Sequence, residues 1–146
     1  MILRNSKPIS KRLSMMLLLG LLTACSDGVP ERWYSQEQAK VGQVVFQVNC
    51  ASCHGKQGEG VPNWRQPDAE GRYPAPPLNG SAHAWHHSLA ALQRQVSEGG
   101  IRLGGSMPSF AQQLSQAEQL AAIAAFQSFW SDDIYTKWKQ IDENSL

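Results

Sequence analysis

The run Asn49-Cys50-Ala51-Ser52-Cys53-His54-Gly55 constrains this chain more than any other stretch, because C-x-x-C-H is the form in which a haem is covalently attached to protein. Two thiols three positions apart on a tight turn can meet the two vinyl groups of one porphyrin as thioethers, and the histidine that follows is aimed at the iron. Imidazole is a standard proximal haem ligand, so Cys50 and Cys53 read as tethers and His54 as an axial ligand. With three Cys and four His in 146 residues, chance would produce the pattern in roughly two of a thousand such chains, and coincidence is set aside. Two other meanings need features the sequence lacks. A thioredoxin-like redox pair needs a βαβ pattern around C-x-x-C, and a Cys2His2 zinc site needs a second spaced pair.

The start of the chain reads as a targeting segment, separate from the fold. Arg4, Lys7, Lys11 and Arg12 form a basic region ahead of an apolar run over residues 13–22, too short to span a membrane comfortably. The run closes on Leu22-Thr23-Ala24-Cys25, which resembles the lipobox of bacterial lipoproteins, where the signal is cut before the cysteine and that cysteine is acylated. The expectation is a signal over 1–24 and a lipidated linker over 25–34 with Cys25 at its head, so that the protein sits in the bacterial envelope, facing the periplasm and anchored to a membrane. An ordinary cleavage site with a leftover thiol is the alternative. All three cysteines then have a use, one for lipid and two for haem, which matters because free thiols in an oxidising compartment need an account. The partition also moves the charge. Four of the thirteen basic residues lie in the signal and all twelve acids beyond it, leaving nine against twelve, a net charge of −3, and no strongly basic surface for nucleic acid.

Downstream, residues 26–33 form a short polar linker of at most about 30 Å when extended at ~3.5 Å per residue. Ser35-Gln36-Glu37-Gln38 has capping-box form, and Ala39, Val45, Phe46 and Val48 follow with helical character, predicting a first helix over 35–49. Gly42 inside it costs ~1 kcal/mol against alanine, which points to close approach by another helix, a merely tolerated glycine being the alternative. Residues 56–75 are rich in Gly and Pro and read as loop. Its Trp64 and Tyr73 suggest order against something, the haem edge or a local cluster. Ser88 caps a short helix carrying Leu89, Leu92 and Val96, ended by Gly99-Gly100. Before it stand His83, His86 and His87; a second metal site is the rarer meaning of such a group, and surface or haem-edge histidines the commoner. Met107 is the only thioether left once Met1, Met15 and Met16 go with the signal, and Gly104-Gly105 before it with Pro108 after it describe an irregular strap rather than a core helix. It is the available sulfur ligand, against the alternative of mere packing. A last helix opens on Ser115-Gln116-Ala117-Glu118 and carries Leu120, Ile123, Ala124, Phe126 and Trp130, the partner that Gly42 and Phe46 require. Ser131-Asp132-Asp133 starts an amphipathic tail over 131–146 with Ile134, Trp138 and Ile141, expected to pack back on the domain rather than to dock a partner.

Taken together, Gly42 and Phe46 ahead of Cys50 to His54, then Pro77-Leu78-x-Gly80, Met107-Pro108, and a closing helix with Ile123 and Phe126 resemble the class I c-type cytochromes over residues 35–130. The resemblance implies an all-α domain of four or five short helices around one covalently bound haem c. It implies that the first and last helices cross at Gly42 and Phe46 against Ile123 and Phe126, that the Pro77 carbonyl orients the His54 ring, and that Leu78 lines the haem face. The long 56–75 loop and the His83 to His87 segment depart from the family pattern and leave the contacts of the haem propionates unassigned. Histidine with methionine saturates the iron and favours the ferrous state, so the expected role is a single-electron carrier, not an enzyme, serving redox proteins of the envelope; the oligomeric state is unspecified. A small haem peroxidase would need Met107 to leave the iron, and a haem-based accessory or sensor module would need its gated exchange.

Overall fold

The computed structural model describes residues 30–145; the expected signal and Cys25 lie outside the described residues. Five helices carry the chain: α1 (Gln36–Asn49), α2 (Ala51–His54), α3 (Leu89–Glu98), α4 (Gln116–Gln127) and α5 (Asp132–Glu143), with single 3-10 turns at Ala84–His86 and Ile101–Leu103. Among the described residues there is no strand, only an isolated bridge between Tyr73 and Gly105, so the all-α expectation is met. No described helix is long and apolar enough to cross a membrane.

Four serines set the helix starts. The hydroxyls of Ser35, Ser88, Ser115 and Ser131 accept from the backbone N–H of Gln38, Ala91, Glu118 and Ile134, each worth ~1 kcal/mol against alanine. Ser35 and Ser115 complete the reciprocal box with Gln38 and Glu118.

The core is built on α4, which is buried on nearly every side from Gln119 to Gln127, the pattern of a helix with neighbours all round. Its alanines let α1 come in at backbone distance. A Cβ on Gly42 would overlap the carbonyl oxygen of Ala121 and sit 3.2 Å from the Ala125 methyl, so the glycine marks the helix crossing. The crossing falls one to two residues from where the resemblance put part of it: the atoms nearest Gly42 belong to Ala121 and Ala125 rather than to Ile123 and Phe126. Phe46, fully buried, stands edge-on to Phe129 with ring centroids 5.9 Å apart. Ile123 and Phe126 belong to the same buried cluster.

The tail packs back on the domain, as expected, though its anchor is Tyr135 beside Trp138, each 1% exposed, with Ile134 and Ile141 half-buried. Trp138 Nε1 donates to the His87 carbonyl at 2.9 Å, and the Asp142 carboxylate accepts from the Leu89 N–H at 2.7 Å. That tail holds the residues placed in the linker by sequence. Trp33 N–H donates to Tyr135 Oη at 2.8 Å, Trp33 Nε1 to Gln127 Oε1 at 2.5 Å, Arg32 pairs with Asp132 at 2.6 Å, and Tyr34 is buried. Residues 32–34 are therefore part of the domain. Their aromatic and cationic side chains find partners about a hundred positions away, which no local pattern announces.

Candidate haem site

The cysteine motif sits where α1 gives way to α2. Cys50 N–H closes the last turn of α1 on the Phe46 carbonyl at 2.9 Å, and the single turn Ala51–His54 is ended by Gly55 at φ 81°. That left-handed backbone is open to glycine and strained for other residues. Neither cysteine is in a disulfide; Cys50 is half-buried and Cys53 exposed. Burial, with the Cys53 thiol beside it, pushes the Cys50 thiol up to about 11, so as a free side chain it is an un-ionised thiol at neutral pH.

His54 is 8% exposed. Its Nδ1 lies 2.8 Å from the carbonyl oxygen of Pro76. A carbonyl can only accept, so Nδ1 carries the proton, and in the neutral ring Nε2 keeps the lone pair. Burial holds the imidazole below its ordinary pKa, partly opposed by that carbonyl, and neutral imidazole is the form that binds a metal. The partner is Pro76, not Pro77 as the resemblance implied. The reason is how the loop meets the proline strap. Gly60 N–H donates to the His54 carbonyl at 2.6 Å, Leu78 N–H donates to the Gly58 carbonyl at 2.7 Å, and a Cβ on Gly60 would strike the Pro77 ring nitrogen. Pro77 thus faces the loop with its ring, and the carbonyl one residue earlier turns to the histidine. Trp130 Nε1 ties the strap from the other side, donating to the Leu78 carbonyl at 2.6 Å.

Met107 stands on the expected irregular strap. Gly100 N–H donates to the Met107 carbonyl at 2.9 Å, and a Cβ on Gly99, at φ 76°, would meet the backbone of Met107 and Pro108. Tyr73 N–H to the Gly104 carbonyl at 2.8 Å and Ser106 N–H to the Tyr73 carbonyl at 3.1 Å brace that strap against the end of the long loop. Gln95 Nε2, on α3, points at Met107 Sδ from 3.7 Å, a contact nothing in the sequence pattern foretold.

One cavity of about 1220 Å³ unites these pieces. Cys50, Cys53, His54, Pro77, Leu78 and Met107 all line it, as do Trp64 and Tyr73 of the loop. It exceeds the ~300–1,000 Å³ of ordinary small-ligand pockets, and Leu92, Val96, Phe110 and Phe126 give it an apolar wall. Two thiols, a fixed imidazole lone pair and a thioether around a space of this size and polarity fit a haem held by two thioether bonds. His83 and His87 also line it, whereas the His86 ring stacks on Trp85 at 3.7 Å. Among the described residues no group of three or more His, Cys, Asp or Glu is placed to hold a separate metal ion.

Residues 37–126 match the family model described as cytochrome c oxidase, cbb3-type, subunit III. The chain belongs to this family of c-type cytochrome domains. The cytochrome also shares its fold with cytochrome cL from the marine methylotrophic bacterium Methylophaga aminisulfidivorans, at a TM-score of 0.53 and 21% sequence identity, over 75% of this chain and 67% of that one. A search of curated protein sequences finds no match. The protein is thus an electron-carrying haem protein with a covalently bound haem c, and the Cys50-x-x-Cys53-His54 spacing fits that attachment.

Proposed function

We propose that the cytochrome is a single-electron carrier whose iron is coordinated by His54 and Met107, anchored by lipid on Cys25 in the bacterial envelope, and that it is not itself an enzyme. The observation that carries the reading is the shared cavity: a histidine locked with Nε2 as its lone-pair nitrogen and the mature chain's only thioether both line it. When bound, the haem supplies a one-electron Fe(III)/Fe(II) couple. The chain's own residues decide what that couple can do. Pro76 fixes the ring of His54, as partners behind a ligand commonly do. The Gly99–Gly100 contacts pin the backbone of Met107, so its sulfur would be available as the second iron ligand and would leave no open position for a substrate. Met/His ligation raises the potential.

Electron exchange needs an accessible edge. Val48, Cys53 and Leu103 are exposed and line the cavity mouth, an apolar rim suited to brief docking by a redox protein. The family's description names an oxidase subunit, so an oxidase stands among the acceptors to try first. The test is a potentiometric titration of wild type beside Met107→Ala. The reading requires a one-electron wave in the wild type and a clearly lower potential in the variant. Identical potentials and spectra would remove Met107 from the iron and with it the carrier assignment.

A further inference from the structure

Both flanks of the family match over residues 37–126 lie outside it, and they bind each other. Arg32 pairs with Asp132 at 2.6 Å and lays its guanidinium over the Tyr135 ring, 3.9 Å from the centroid. Trp33 N–H donates to Tyr135 Oη at 2.8 Å, and Tyr34 stands edge-on to the same ring with centroids 6.3 Å apart. α5 is fixed in turn on its inner side, where Trp138 holds the His87 carbonyl and Asp142 the Leu89 N–H. The point at which the chain enters the domain is therefore held on the flank of α5. There Glu31, Arg32 and Trp33 share a cleft with Lys139, Asp142 and Glu143.

Chain length sets what that flank can face. Cys25 is seven residues before Arg32, a span of at most ~25 Å at ~3.5 Å per residue, while α5 alone is ~18 Å long at ~1.5 Å per residue. Lipid on Cys25 would keep this flank within about one helix length of a bilayer surface. The outer side of α5 suits such a neighbour, being polar with charges that nearly cancel, Asp133 and Glu143 against Lys137 and Lys139. The haem cavity takes no lining residue from 31–34 or from α5. Cys50 follows the last residue of α1, ~21 Å along that helix from its start beside the clasped residues.

We infer that residues 31–34 and α5 form a clasp that seats the lipid-anchored domain on the membrane by the outer side of α5, with lipid headgroups as its partner and the haem mouth turned to the aqueous side. The inference rests on the Cys25 anchor of the proposed function and adds an orientation to it. Without the clasp the domain would pivot on its linker, and any face could meet the lipid. With it, redox proteins reach the haem from the water rather than from within the bilayer.

The experiment is a lysine footprint of the lipidated holoprotein in phosphatidylcholine vesicles. A membrane-impermeant amine reagent is applied briefly and each lysine is read by peptide mass spectrometry. Relative to Lys56, which is exposed just beyond the haem motif, labelling of Lys137 and Lys139 should fall severalfold on vesicles compared with soluble Cys25→Ala protein. The combined Arg32→Gln and Trp33→Ala change should restore it. So should roughly twenty Gly or Ser residues inserted after Asp27, a flexible extension outside the described domain. Unchanged labelling of the α5 lysines on vesicles overturns the proposal whether or not the clasp variant folds, and so does protection that survives the longer linker. Protection already present in the soluble protein would mean that a second copy covers this face, which also overturns it. Failure of the anchor shows separately, as wild-type protein that carries no lipid and does not float with vesicles, and it removes this proposal with it.

Discussion

Gly42→Ala tests the geometry on which the whole domain rests. The added methyl would overlap the Ala121 carbonyl oxygen and press on the Ala125 methyl. The first of these is backbone and cannot swing aside, so α1 and α4 must separate or slide. Overpacking a tight contact costs ~1–3 kcal/mol, and a rigid backbone neighbour puts this site toward the upper figure. Against that, alanine in a helix interior is favoured over glycine by ~1 kcal/mol. The net expectation is a loss of about 2 kcal/mol, or a fall in Tm of roughly 8 °C at ~4 °C per kcal/mol for a domain near a hundred residues. Because the haem is covalent, it stays with the unfolded chain, and the melt can be followed by far-ultraviolet circular dichroism without ligand loss. Val44→Ala, on the exposed face of the same helix, serves as the control and should shift Tm little. A Gly42→Ala protein as stable as wild type, or more so, would mean that the helices do not meet at this residue.

Other changes probe other parts of the account. Trp130→Phe removes the donor to the Leu78 carbonyl and should cost ~1–3 kcal/mol by leaving that oxygen unpaired; an unchanged urea midpoint would show the bond is not holding the proline strap. Cys50→Ala with Cys53→Ala should leave a largely unfolded chain, since a haem supplies apolar surface that a small domain needs, and a cooperative melt with native helicity in that protein would contradict this. Cys25→Ala should abolish acylation while sparing haem attachment, read by mass spectrometry and membrane fractionation; a wild type that carries no lipid would refute the anchor. Gln95→Leu should leave the iron coordinated but weaken the hold on the methionine sulfur, visible as a changed potential, and an unaltered potential would reduce the contact to packing.

Much of this architecture is legible because its determinants are local. Ser35, Ser88, Ser115 and Ser131 each act on a backbone N–H three residues away, so the helix starts can be read from neighbours in the sequence. The haem motif is equally compact, and a count of methionines singles out Met107, which the structure places in the cavity lining. What escaped the sequence is what depends on distant partners. Pro76 and Pro77 are chemically alike, and which carbonyl reaches His54 is decided by where Gly58 and Gly60 press on the strap. Trp33 and Tyr34 look like linker until Gln127 and Tyr135 are placed beside them. The tail's apolar spacing points to Ile134, yet Tyr135 is the buried anchor, because its hydroxyl is satisfied by the Trp33 N–H. Gln95 stands twelve positions from Met107 and meets it only because the chain turns back at Gly99 and Gly100.

The central claim, that His54 and Met107 together close the iron, is tested most directly by the near-infrared spectrum of the ferric holoprotein together with carbon monoxide exposure of the ferrous form at neutral pH. The account predicts the weak sulfur-to-iron charge-transfer band and no carbon monoxide adduct, with the band lost in Met107→Ala. A wild type that lacks the band and binds carbon monoxide rapidly would contradict it.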